Sequence, residues 1–236
     1  MSYKIFPILF SSFVSFTSLA TNKIGDPKVL ASTARASMEV KVKELYSSLK
    51  LNSFTMPKLE AFSKAVEGYY QLKERGVVQK DILTIVDFSL SSTQKRLWVI
   101  DMVTNTVLLQ SVVSHGRNSG EEFATSFSNE SNSNKSSLGF YSTGETYSGK
   151  HGLSLKLDGL EYGINNNARN RAVVMHGADY AAESIIKLQG RLGRSQGCPA
   201  IPFAIHKEII NLIKNKSCLF IYHPSRTYEK QSKLIS

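Results

Sequence analysis

Three runs of β-branched and aliphatic residues lie close together in this chain: ILTIVDF at 82–88, RLWVID at 96–101 and TVLLQSVV at 106–113. Such runs suit the pleated, half-buried surface of a strand. Ser91, Ser92, Thr93 and Gln94 supply one intervening turn, and Thr104 and Asn105 the other. Connections this short leave no room for a crossover, so the three strands must run antiparallel, as a meander. A meander buries one face only if something covers it. Helical stretches elsewhere in the chain supply the cover. The expected class is therefore α+β: mainly β, a sandwich or meander with covering helices, preceded by an N-terminal helical segment.

That segment is legible from its periodicity. Met38, Val42, Leu45 and Leu49 recur at helical spacing over residues 33–49. Pro57 stands where a second helix starts. Leu59, Phe62, Val66, Tyr69, Tyr70 and Leu72 continue its apolar face, and Gly76 stops it. Nothing in this first third forms a catalytic constellation. From 114 to 150 the composition turns to Ser, Asn and Gly, the chemistry of loops. Leu138, Gly139, Phe140, Tyr141 and Tyr147 mark it as an ordered loop returning to the sheet. Strands follow at 153–157 and 172–176. A helix opens at Pro202, buries Ile205, Ile209, Ile210, Leu212 and Ile213, and ends among Lys214, Asn215 and Lys216, where cations complement its dipole. The run CLFIY at 218–222 is apolar enough to be central in the sheet. The expected organisation is a leader at 1–20, the helical segment at 21–79, the β-rich domain at 80–228 and a tail at 229–236.

Compartment is read from the N-terminus. Lys4 precedes an apolar run from residue 5 to 19, and Ser18, Leu19 and Ala20 end it in the small-x-small pattern of a cleavable signal peptide. The run is too short for a stable membrane span, and no later stretch is long enough for one. The expectation is an exported protein, in the periplasm or cell-wall space. A net charge of +10 over 236 residues fits an acidic polymer. No arginine-rich run, zinc pattern or RNA-binding aromatic motif accompanies it, so nucleic acid is not the expected partner. Neither a cofactor nor a metal is expected.

The chemistry concentrates in GRSQGCPAIP at 193–202. Cys198 sits on a tight turn allowed by Gly197, at or just before the helix that begins near Pro202. There, free N–H groups and the helix dipole favour a thiolate. The N–H groups of Gln196, Gly197 and Cys198 are candidate oxyanion donors; Pro199 has none to offer. His176, ending an apolar strand and followed by Gly177, is the candidate base. A short helix between 181 and 189 would return the chain from one to the other. His115, followed by Gly116, is an alternative base, a substrate ligand or a strand-end residue; His151, followed by Gly152, is a candidate cleft residue that binds substrate; His206 and His223 read as structural or surface residues. Ser195 either shapes the site or makes local turn bonds. In an exported protein Cys198 and Cys218 could also pair as a disulfide.

Together these residues resemble the L,D-transpeptidase catalytic domains of bacterial cell-wall synthesis. The match lies in His176-Gly177, then Ser195-Gln196-Gly197-Cys198, then the helix from Pro202 and the closing strand at 218–222. With Gly149-Lys150-His151-Gly152 upstream, the chain is similar to the divergent branch called the murein L,D-transpeptidase catalytic domain family. The resemblance implies a cysteine acyltransferase on peptidoglycan stem peptides: His176 takes the thiol proton, Cys198 forms a thioester, and terminal D-alanine leaves. An amine acceptor gives transpeptidation, and water gives an L,D-carboxypeptidase. A non-enzymatic wall-binding module with a Cys198–Cys218 disulfide is the other alternative. The resemblance further implies a backbone carbonyl near the Ser-x-Gly turn to orient the imidazole. Common members carry Arg or Asn two residues after the cysteine. Here that position is Ala200, which leaves Arg194 or Arg171 to hold substrate.

Overall fold

A computed structural model describes residues 27–235 of the chain. The expected leader lies outside the described residues. The described residues fall into two units that divide between Ala36 and Ser37. Of the first, the described part is the opening of helix α1, which spans Pro27–Ser47. The rest of this section concerns the second unit.

Helix α2 runs Leu59–Glu74, buries Phe62, Val66, Tyr69 and Leu72, and packs on the sheet. The sheet has eight strands: β1 (Ile82–Asp87), β2 (Leu97–Asp101), β3 (Thr106–Ser111), β4 (Gly139–Gly149), β5 (Gly152–Gly159), β6 (Val174–Gly177), β7 (Ala200–Ile201) and β8 (Cys218–Tyr222). Their order across the sheet is β3-β2-β1-β8-β4-β5-β6-β7. Strands β1, β2 and β3 form the expected antiparallel meander. Strand β8 lies between β1, to which it is parallel, and β4, to which it is antiparallel. All five of its residues are buried, as a strand covered on both faces must be. Phe220 of β8 stacks on Phe140 of β4 with ring centroids 4.1 Å apart. The class is thus α+β, mainly β with covering helices, and the strands join in one sheet.

The two ends of that sheet meet. Beyond β3 the chain continues to Ser114, whose N–H donates to the Ala200 carbonyl of β7 at 2.8 Å. A second bridge joins Gly116 to Ser195. The sheet therefore closes on itself next to the cysteine turn.

Three helices follow: α3 (Glu183–Gln189), α4 (Phe203–Ile213) and α5 (Arg226–Gln231). α4 packs on β5 and β6 with Ile209, Ile210 and Ile213 inward. Four features differ from expectation. The eleven residues of β4 form a long strand where a loop returning to the sheet was expected; its ladders with β5 and β8 hold it despite a composition of Gly, Ser and Thr. Ala172 stands outside β6 in left-handed backbone, φ 54°. The short strand β7 separates Cys198 from α4. Finally, α5 occupies the span where the domain was expected to give way to a tail. Its start is capped by Ser225, whose Oγ accepts from the Tyr228 N–H.

Candidate active site

The cysteine turn is built largely by one hydroxyl. Ser195 Oγ accepts from the Gly197 N–H at 3.0 Å and donates to the Cys198 carbonyl at 2.7 Å. The backbone of Ser195 is anchored on both sides: its N–H donates to the His115 carbonyl at 2.9 Å, and its carbonyl accepts from the Arg117 N–H at 2.8 Å. Gly197 has φ +124°, which L side chains rarely adopt, and a Cβ there would lie 2.8 Å from the Lys135 carbonyl oxygen. Ser195 thus makes local turn bonds and shapes the site through them.

Strands β6 and β7 bring His176 and Cys198 to one wall. They pair in parallel with His176 opposite Ala200. Two residues before each of this pair, the Val174 N–H reaches Cys198 Sγ at 3.5 Å. The thiol faces the Ala172 carbonyl at 3.8 Å. Cys198 is half-buried, and desolvation pushes its thiol up from its ordinary value, against the pull of the Val174 N–H and the nearby Arg171 and Lys150 charges. The resting group is thus the thiol. β7 intervenes before α4, so the cysteine does not occupy the first turn of a helix, and the expected dipole assistance is absent there.

His176 is buried, and its Nδ1 faces the Gly177 carbonyl at 2.9 Å. A carbonyl can only accept, so Nδ1 carries the proton and Nε2 presents a lone pair. The orienting carbonyl is therefore that of the next residue, not one near the Ser-x-Gly turn. Burial lowers the His176 pKa, with the neighbouring His151, Lys150 and His206 adding to it. The His151 ring stacks on His176, centroids 4.4 Å apart and planes 21° from parallel. Gly177 is required by close approach: a Cβ there would meet Phe203 of α4 at 2.5 Å.

His176 and Cys198 line one cavity of about 580 Å³, with His151, Ser195, Gln196, Arg171 and Arg194 among its other walls. Of the three expected oxyanion donors, Gly197 is committed to Ser195. The N–H groups of Gln196 and Cys198 have no acceptor among the described residues.

Three expected ligands are placed or engaged differently. His115 does not line the cavity; its Nδ1 accepts from Arg96 Nη2 at 2.8 Å and its Nε2–H donates to the Gly120 carbonyl at 3.3 Å. Burial, with the Arg96 charge, drives its pKa down to about 4. Arg171 reaches the cavity, but its guanidinium donates to the carbonyls of Ser128 (2.8 Å) and Lys135 (2.7 Å) and to the hydroxyls of Ser137 (2.5 Å) and Ser133 (3.2 Å). It holds the Ser/Asn-rich loop. Arg194 is likewise engaged, donating to the carbonyls of Arg117 and Gly120 and to Glu121 Oε1 at 2.6 Å. Sequence reasoning missed Arg117, Tyr147, Lys150 and Tyr180, among others, as cavity residues. The Gly149-Lys150-His151-Gly152 run was the available signal for Lys150; Tyr180 had none.

Both cysteines are free thiols, with Cys218 fully buried in β8, so the disulfide alternative does not hold in this structure. Among the described residues no group of three or more His, Cys, Asp or Glu is placed to hold a metal, and no helix is long and apolar enough to cross a membrane.

The fold and cavity define an α+β domain with a thiol and an imidazole on one wall. The profile of the L,D-transpeptidase catalytic domain matches residues 55–222, and the chain belongs to that family. Solved structures with similarity include an L,D-transpeptidase from Mycobacterium smegmatis (12% identity, TM-score 0.38, 61% of this chain and 59% of that one). Others are the helical cell shape determining protein of Campylobacter jejuni (11%, 0.42, 69% and 55%) and an L,D-transpeptidase from Xylanimonas cellulosilytica (11%, 0.35, 84% and 94%). The alignment thus spans about 59% of the Mycobacterium smegmatis chain's length. No curated protein matches.

Proposed function

We propose that this chain is an exported cysteine L,D-transpeptidase acting on peptidoglycan stem peptides. The observation that carries the reading is the shared cavity wall, where adjacent strands β6 and β7 set His176 beside the Cys198 turn. Family membership supports the reaction class, and the net charge of +10 suits an anionic wall polymer.

His176 Nε2 takes the thiol proton as Cys198 Sγ attacks a stem-peptide carbonyl. Burial favours the uncharged forms of both groups, the thiol and the imidazole. The new C–S bond leaves an oxyanion, which the Gln196 and Cys198 N–H groups receive. The tetrahedral species collapses as the C–N bond breaks. His176 returns the proton to the departing amine of the terminal D-alanine. An incoming amine then resolves the thioester and gives the cross-link; water in its place would make the enzyme a carboxypeptidase.

The test is intact-mass spectrometry after exposure to a carbapenem and, separately, to a tetrapeptide stem. A covalent adduct that maps to Cys198 and is lost in Cys198→Ala is expected. An adduct elsewhere, or turnover by Cys198→Ala, would sink the mechanism. Chromatography of the products with and without an acceptor stem distinguishes amine from water.

A further inference from the structure

The cavity lining contains Arg117, Lys150, Arg171 and Arg194, and not one Asp or Glu. These four cations are not equivalent. Arg171 is saturated by loop carbonyls and hydroxyls, and Arg194 is paired with Glu121. The side chains of Arg117 and Lys150 have no hydrogen-bond or ion-pair partner among the described residues. Both are exposed on the cavity rim. A cavity with cations of this kind and no compensating acid is poised for an anionic group.

The two free cations come from different segments of the cavity lining. Arg117 belongs to the turn side, since its own N–H is bonded to the Ser195 carbonyl. Lys150 belongs to the imidazole side, at the tip of the β4–β5 hairpin, next to His151, whose ring is stacked on His176. The chemistry orders these flanks. His176 hands its proton to the nitrogen of the leaving residue. The α-carboxylate of that residue is only two covalent bonds from the nitrogen, so it must emerge on the imidazole flank.

We infer that Lys150 is a specificity residue that receives the free C-terminal carboxylate of the leaving amino acid, making the site selective for peptides ending in an acid rather than an amide. This rests on the acyl-transfer reading above.

The test compares two tetrapeptide stems, identical except for a C-terminal carboxylate or carboxamide. The readout is kcat/KM for release of the last residue. A charge-assisted contact of this kind is worth about tenfold or more. The unaltered protein is expected to prefer the acid by about that factor, and to lose the preference as ionic strength rises. Lys150→Met should bring the ratio close to one, and Lys150→Arg should retain it. If Lys150→Met lowers both peptides equally and keeps the ratio, the residue is structural and the inference fails. If Arg117→Met abolishes the preference and Lys150→Met does not, the assignment is overturned. If the unaltered protein acylates Cys198 equally with acid and amide, the subsite alone falls. If neither peptide acylates Cys198, the acyl-transfer reading falls and takes the subsite with it.

Discussion

Cys198 and Cys218 show how position divides one residue type between two tasks. Cys198 lies half-buried on the cavity wall, whereas Cys218 has no exposure and is held between β1 and β4. Cys198→Ala should remove acylation while changing stability by less than about 0.5 kcal/mol. Cys218→Ala should leave acylation in place and cost about 1–2 kcal/mol, because it opens a void in the core. Urea melts beside adduct mass spectra check both halves, and the reverse pattern would contradict the assignment. At His176 the prediction is one of pH. Burial and the nearby Lys150 charge favour the neutral ring, which is the form that accepts the thiol proton. The acidic limb of a kcat/KM profile should therefore fall below the ordinary histidine value of about 6.5. A limb at or above that value would assign the base elsewhere.

At the scale of elements, what the sequence makes legible depends on where the stabilising contacts lie. The meander and the central β8 are readable because their own residues are apolar and β-branched, so local propensity agrees with tertiary position. The thiol turn and the His176–Gly177 strand end are readable because glycine and reactive side chains punctuate the chain there. β4 and β7 are not. β4 carries three glycines and draws its stability from its partners, and β7 is two residues long and exists only because β6 and Ser114 flank it. Neither kind of pairing leaves a local mark. The Ser/Asn-rich loop looks like low complexity, yet Ser119, Ser136 and Ser137 are buried. Their hydroxyls substitute for the missing ladder: Ser119 Oγ accepts from the Ser136 N–H at 2.9 Å, and Ser136 Oγ donates to the Gly197 carbonyl at 3.2 Å. Arg171 ties the same loop from outside. Arg171→Met should cost about 2–3 kcal/mol and raise amide hydrogen exchange across residues 128–137 ahead of the rest of the domain. Unchanged exchange in that segment would show that the loop is held by other means.

For the molecule as a whole, the buried Arg96–His115 pair makes stability depend on pH. Arg96 is fully buried; its guanidinium bonds the carbonyls of Leu90 (2.8 Å) and Val113 (2.9 Å), and its cation lies 4.8 Å from the Phe88 ring centroid. His115 beside it must stay neutral. Its folded pKa of about 4 lies below the unfolded value, so the unfolded chain binds the extra proton in between. The stabilisation is complete above pH of about 6.5 and is lost as pH falls toward the folded value. Chemical denaturation between pH 6 and 5 should show His115→Gln with a slope shallower by about one proton, or ~1.4 kcal/mol per pH unit. Equal slopes would place the acid sensitivity elsewhere.

The closure of the sheet also bears on how these molecules meet one another. An open strand edge is a row of unpaired donors and acceptors that templates another chain. Here one end of the sheet continues into Ser114, which is bonded to Ala200 at the other end, while Lys50 lies along the start of β3 and accepts from the Val107 N–H at 2.8 Å. The side chain of Asn52 then covers the Val107 carbonyl. The pairing that positions the thiol turn thus also guards the fold against edge-to-edge aggregation.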